Sequence, residues 1–216
     1  MVGTMTVGGI QVVYVDDDLI AVDKPAGLLA VPGRGADKQD CVITRVQVDW
    51  PDARVVHRLD MATSGLMLLA RGIGMQRALS QMFAQRQVIK RYVAVVAGQL
   101  HAASGCIDLP IAADWPQRPL QRVDDTLGKP ALTHWRVLHR NVLGDFTRVE
   151  LQPVTGRTHQ LRVHLQAIGH AILGDALYAP ETVRLRADRL LLHACELELP
   201  HPGHGRLLTL RSDVPF

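Results

Sequence analysis

The stretch Val55-Val56-His57-Arg58-Leu59-Asp60-Met61-Ala62-Thr63-Ser64-Gly65-Leu66 decides how the chain is read. Two apolar residues lead into cationic groups, an apolar residue and a carboxylate. A small polar turn, Thr63-Ser64-Gly65, follows, and then an apolar run over residues 66–70. On an extended backbone Arg58 and Asp60 share one face and Leu59 takes the other, because side chains alternate along a strand. That predicts a carboxylate beside a guanidinium at the mouth of a sheet. The same spacing also describes a surface Arg–Asp pair next to a turn, which is the commoner case and is worth little. Spacing alone therefore leaves both readings open.

The totals bound the problem. A chain of 216 residues suffices for one large domain or two small ones. With 47% hydrophobic and 21% charged residues it has the makeup of an ordinary globule. No apolar run reaches the roughly 18 residues of a membrane span, and residues 1–10 have neither the basic nor the apolar region of a secretory signal. Cys41, Cys106 and Cys195 are far apart and odd in number, with no zinc spacing and no disulfide framework, which suits a reducing cytoplasm. The formal net charge is only +3, but the 24 basic residues are 20 Arg and 4 Lys. Guanidinium forks match phosphates and stack on bases. A GC-rich genome would also favour Arg codons, so composition alone does not decide for RNA. Aromatic residues make up 4%, too few for an open base-stacking platform.

Residues 11–14 and 19–23 read as short strands joined by the acidic turn Asp16-Asp17-Asp18. Residues 24–33, with two Pro and two Gly, predict a shaped loop. Asp40 is placed to cap a helix running to about residue 49. Met75, Ala78, Leu79, Met82 and Phe83 form one apolar stripe, so residues 74–85 predict an amphipathic core helix. Residues 89–97 read as a strand with Tyr92, Ala94 and Val96 on one face. Residues 105–130 read as a Pro-rich surface excursion whose Trp115, Arg118, Arg122 and Lys129 could touch RNA. A hairpin is expected over residues 131–151 with Gly144-Asp145 in its turn. Thr158 is placed to cap a helix on which Leu161, Leu165 and Ile168 share a face, with Gly169 past its end. Arg162 lies one position from that apolar face and is expected to be half-buried at best. His159 and His164 are spaced i, i+5, which does not put two metal ligands on one helix face, so no metal site is expected. Residues 172–178 read as a turn containing Asp175 and Tyr178, residues 184–189 as a short Arg-bearing helix, and residues 190–199 and 207–210 as the last strands.

His57-Arg58-Leu59-Asp60 with Thr63-Ser64-Gly65 resembles the central motif of the RluA-type pseudouridine synthases, and Met61-Ala62 extends the match. Further stretches resemble that family's elements in the same order. These are Lys24-Pro25-Ala26-Gly27, Lys90-Arg91-Tyr92, Gly156-Arg157-Thr158-His159-Gln160-Leu161-Arg162-Val163-His164, and Leu191-Leu192-His193-Ala194. The resemblance implies an α+β fold, a mixed and largely antiparallel sheet flanked by helices and loops around a central cleft. It implies one catalytic domain over residues 1–216. Only about twenty residues precede the Lys24 loop, so the N-terminal S4-type RNA-binding domain of many relatives is expected to be absent. The implied reaction converts specific uridines to pseudouridine, in a 23S rRNA hairpin and in a tRNA anticodon stem-loop, without a cofactor. The implied enzyme is taken as a monomer.

By motif position the resemblance makes Asp60 the catalytic residue, Arg162 its partner cation and Tyr92 the side chain against the target uracil. Arg58 and His57 are placed against the substrate. Leu191 and Leu192 are placed on the wall of the uracil pocket, and Lys24 at the RNA. The reaction breaks the N1–C1′ bond, turns the ring and joins C5 to C1′. It needs an ionised carboxylate, a pocket for the detached ring and exclusion of water. Asp60 could attack C1′, add at C6 or deprotonate the ribose. A hydrolase acting on the same bond would usually need a second carboxylate, which these motifs do not supply. A non-catalytic RNA-binding protein on the same fold is the other rival.

Overall fold

The computed structural model describes residues 5–216; residues 1–4 of the stretch read for a signal lie outside it. Along the chain come β1 (Thr6–Val7), β2 (Ile10–Val15), β3 (Leu19–Lys24), α1 (Val42–Val46), β4 (Ala53–Val55), β5 (Ser64–Arg71) and α2 (Gly72–Ala84). Then follow β6 (Ile89–Ala97), β7 (Ser104–Asp108), β8 (Ile111–Ala113), β9 (Gln121–Val123), β10 (Leu132–Asn141), β11 (Phe146–Pro153), α3 (Gln160–Ala167), α4 (Glu181–Arg184), β12 (Leu192–Pro200) and β13 (Leu207–Arg211). The described chain divides into two compact units. One holds the residues up to Lys90 together with His193–Pro215, the other Arg91–Leu192 and Phe216.

In the first unit the strands run β1-β2-β3-β5-β12, with β4 also on β5 and β13 on β12. All these pairings are antiparallel except β5 with β12. β5 is buried from Ser64 through Ala70, so both of its faces are core. Met67 and Leu69 pack on one side with Ile20, Val22 and the α1 residues Val42, Ile43 and Val46. Leu66, Leu68 and Ala70 pack on the other with Leu79 of α2, and with Met75, Met82 and Phe83 of the stripe read from the sequence. Each fully buried Leu or Met on β5 contributes about 2 kcal/mol of hydrophobic stabilisation.

In the second unit β6, β11, β10 and β7 form an antiparallel run. β11 alternates strictly: Thr147, Val149, Leu151 and Pro153 are buried, while the residues between them are half-buried. α3 packs against this strand. A separate hairpin, β8 with β9, meets α3 where Ile111 packs with Val163 and with Ala131, which precedes β10. Part of what was expected as a loop over residues 105–130 is therefore paired strand. Short β-propensity runs flanked by Pro read as loop when their partners are not yet known. Trp115 is exposed as expected, with the Arg118 guanidinium stacked 3.4 Å from its ring centre.

Several boundaries differ from expectation. α1 is one short helix capped by Cys41, with a reciprocal bond between Cys41 and Thr44; Asp40 instead forms a two-pronged bridge to Arg45. α3 begins after His159, not Thr158, and His159 adopts a left-handed backbone (φ 55°). Ser64 and Gly65, expected in a turn, are the first residues of β5; the turn lies at Met61-Ala62.

Gly65 has φ +112°, and a Cβ there would run into the backbone of Ala194 on β12. Gly65→Ala therefore costs ~2 kcal/mol or more in urea unfolding, from left-handed strain plus overpacking. A midpoint equal to wild type would refute so close an approach.

Candidate active site

The first set of motif residues lies on or against the segment joining β4 to β5, in the first unit. This segment is irregular, not the extended strand that the alternation argument assumed. Leu59 is buried and anchors it, Asp60 is half-buried, and Arg58 is exposed. The Thr63 N–H closes the turn on the Asp60 carbonyl at 3.1 Å. The Met61 carbonyl accepts the Gly27 N–H at 2.8 Å, tying the segment to the loop after β3.

Lys24 was expected to face RNA. It is instead fully buried, and its ammonium donates to the carbonyls of Pro25, Leu28 and Met61 at 2.8, 2.8 and 3.0 Å. A buried ammonium must spend its donors, and here it holds two loops together. His57 also proves to be an internal brace. Its Nε2 accepts the Leu68 N–H at 2.9 Å, and its ring stacks on Phe83 at 4.5 Å. Burial, and then the Lys90 ammonium, push its pKa down to about 3. The imidazole is neutral and brings no positive charge to a polyanion.

Behind the segment lies a polar chain that no sequence motif marks. Ser64 Oγ bonds His193 Nδ1 at 2.8 Å, His193 Nε2 bonds Ser212 Oγ at 3.0 Å, and the Ser212 hydroxyl donates to Asp23 at 2.5 Å. Since Ser212 gives its proton to Asp23, the His193 Nε2–H donates to Ser212. β3, β5, β12 and the residue after β13 are thereby linked. The only sequence signal was a His in an otherwise apolar strand start, Leu190 to Ala194.

The second set lies in the second unit. Tyr92 of β6 is half-buried and sits opposite Leu151 of β11. Arg162 is only 4% exposed, more buried than its helical position suggested. Its Nε and Nη2 donate to the two carboxylate oxygens of Asp175 at 2.8 and 2.6 Å. Its guanidinium carbon lies 5.0 Å from the centre of the Tyr178 ring. The Tyr178 hydroxyl bonds His159 Nδ1 at 2.6 Å and accepts the Gln121 N–H at 2.9 Å. In the sequence Asp175 and Tyr178 stand out only as parts of a turn. His164 is fully buried, with its nitrogens bonded to Thr133 Oγ1 and the Leu109 carbonyl; burial lowers its pKa.

Leu191 and Leu192 were expected to wall one pocket. Leu192 is buried, whereas half-buried Leu191 lines a cavity of about 460 Å³ with Val95, Phe146, Arg148, Leu173 and Arg186. Neighbours on an extended backbone point opposite ways. Val95 is three residues from Tyr92 on β6, so this cavity opens on the other sheet face. Leu191 is thus removed from the wall around Tyr92.

Comparison with known proteins supplies the context. The family model described as RNA pseudouridylate synthase matches residues 18–167. A relative from Escherichia coli strain K12, named Dual-specificity RNA pseudouridine synthase RluA, is 47% identical over 205 residues, covering 95% of this chain and 93% of its own. One of the same name from Vibrio parahaemolyticus is 49% identical over 195 residues, covering 89% and 78%. Among solved structures, Human RNA Pseudouridylate Synthase Domain Containing 1 superposes with a TM-score of 0.81 at 28% identity, covering 98% of this chain and 86% of its own. Human RNA Pseudouridylate Synthase Domain Containing 4 gives 0.77 at 27%, covering 94% and 88%.

The depressed His57 pKa has a sign that can be tested. Below its ordinary value of 6.5 the unfolded chain takes up a proton that the folded chain refuses until about pH 3. Stability is thus lost as pH falls through that window, and nothing is lost above it. His57→Gln keeps an acceptor for Leu68 but does not titrate. The difference in urea midpoint between about pH 7 and about pH 4 shrinks in this variant; an unchanged difference would refute the assignment.

Proposed function

The chain belongs to the RNA pseudouridylate synthase family, and from that premise we propose how its own residues carry out the isomerisation of uridine to pseudouridine in RNA. Asp60 is the catalytic carboxylate, Arg162 the guanidinium that motif position makes its partner in the reaction, and Tyr92 the side chain that confines the detached ring. The observation that carries this reading is the match at Asp60: a half-buried carboxylate on a segment whose neighbours are held by Lys24, Leu59, His57 and Ser64. A group so held can keep one geometry through bond cleavage and rejoining, which is where most of the rate advantage of a positioned group arises. Exposed Arg58, two residues from Asp60, is suited to grip a phosphate beside the extruded nucleotide or to fill the space it leaves. Extrusion itself costs a few kcal/mol, which contacts to the RNA backbone offset.

The substrates proposed are a hairpin of 23S rRNA and the anticodon stem-loop of tRNA. The relatives carrying the dual-specificity name support this, since the similarity spans nearly the whole length of both chains. The exposed Trp115–Arg118 stack offers a further contact for loops of that kind. The enzyme is taken to act as a monomer in the cytoplasm. Among the described residues no helix is long and apolar enough to cross a membrane.

Asp60→Asn abolishes tritium release from RNA labelled at uracil C5 while RNA binding persists. Release at the wild-type rate, or free uracil among the wild-type products, would sink the assignment, the second outcome indicating a hydrolase. Tyr92→Phe keeps a ring and retains much of the activity, whereas Tyr92→Ala loses it. Normal single-turnover rates in Tyr92→Ala would exclude ring confinement by this residue.

A further inference from the structure

We propose that Asp175 is the positioning residue for Arg162, fixing the plane in which its guanidinium serves the reaction; this rests on the catalytic reading of Arg162 above. No motif in the sequence reading gave Asp175 a role. It is fully buried, and its carboxylate meets Arg162 side-on, one oxygen to Nε and the other to Nη2. A fork of this kind stops rotation about the last side-chain bonds and directs the Nη1 edge away from the carboxylate.

Asp175 is itself immobilised. Its Oδ1 also accepts the N–H groups of Leu177 and Tyr178 at 2.9 and 3.1 Å, so the carboxylate closes its own turn. Gly174 just before it has φ +74°, and a Cβ there would strike the backbone of Arg189. The turn is therefore pressed against a neighbouring segment and has no freedom to drift. Tyr178, from the same turn, faces the guanidinium, and its hydroxyl reaches His159 at the start of α3. One five-residue turn thus grips Arg162 by a carboxylate and an aromatic ring, and grips the beginning of the helix that carries it.

The pairing also defines what kind of cation Arg162 is. A guanidinium stays charged in a protein, and here one carboxylate already balances it. Arg162 then acts less as a net positive charge than as a set of N–H donors of fixed direction. Direction is what Asp175 contributes, so its loss is a loss of geometry.

Two variants separate this from a purely structural role. Asp175→Asn keeps the shape and an oxygen for the turn but loses one of the two fork acceptors. Asp175→Glu keeps the charge and shifts the fork by a methylene. Both are measured in single turnover with enzyme in excess over tritiated tRNA, and RNA affinity is measured separately by filter binding. Each is expected to lose about a hundredfold in the chemical rate, the penalty of misplacing a catalytic group by about 1 Å, with affinity unchanged. A wild-type rate in either variant overturns the proposal, as does a rate loss matched by an equal loss of affinity. If Asp175→Asn does not fold, Asp175→Glu decides by the same criteria. Asp60→Asn and Arg162→Ala are run alongside: turnover in either brings down the catalytic reading itself. Inactivity in both with normal turnover in the Asp175 variants brings down this inference alone.

Discussion

At Gly65 the backbone of β5 meets the backbone of β12 at a distance that no side chain would allow, and much of the first unit follows from that approach. β12 runs parallel to β5, with His193 opposite Ser64 and Ala194 opposite Gly65. A parallel neighbour cannot be reached by a tight turn, and here the whole second unit intervenes in the chain before β12 returns. The close contact places His193 where its ring bonds Ser64 on one side and Ser212 on the other. Ser64 follows Asp60 by four residues. The segment carrying the candidate catalytic carboxylate is thus held at its C-terminal end by hydrogen bonds to a strand from the far end of the sequence.

A second constraint operates in the other unit, where a guanidinium is buried. Burying a lone charge is prohibitive, and removing one partner of a buried pair costs about 3–5 kcal/mol. Arg162 meets this with Asp175. The carboxylate is available only because Gly174 lets the chain turn sharply against Arg189. The chain commits a glycine, an aspartate and a tyrosine to one arginine, more than an ordinary core position requires.

Much of this was legible in the residues. The strands around residues 11–14, 19–23 and 89–97, the α2 stripe and the hairpin near Gly144-Asp145 all follow from periodicity and turn chemistry, and each appears within a few residues of its expected place. The failures have physical causes. The RNA-facing place of Lys24 rests on motif position alone, whereas the loop itself reads as structural; three backbone carbonyls of two loops, which spacing does not reveal, bury the ammonium. Leu191 and Leu192 are grouped by the resemblance, which takes the motif as a unit, whereas alternation turns two neighbours opposite ways. Asp175 was passed over because its partner lies thirteen residues away on a helix whose rotation the sequence fixes only coarsely. The role of Asp60 came from resemblance, since its spacing to Arg58 fits a surface pair equally well.

The basic residues show why net charge was a weak guide. Two of the cations nearest the motifs do not face solvent, since Lys24 and Arg162 are buried, and half-buried His57 is neutral and stacked. Arg58 and Arg118, by contrast, are exposed. Exposed guanidinium groups add to the field that draws in a polyanion and release counterions when they meet phosphate. Internal cations add little to that field, because carboxylates or backbone carbonyls surround them. A formal charge of +3 therefore hides a division of labour. One set of cations shapes loops and orients donors, and the other is exposed to solvent, where the proposed function places the RNA. On the proposed function, binding and chemistry can then fail separately: substitutions in the first set act on rate, and those in the second on affinity and its salt dependence.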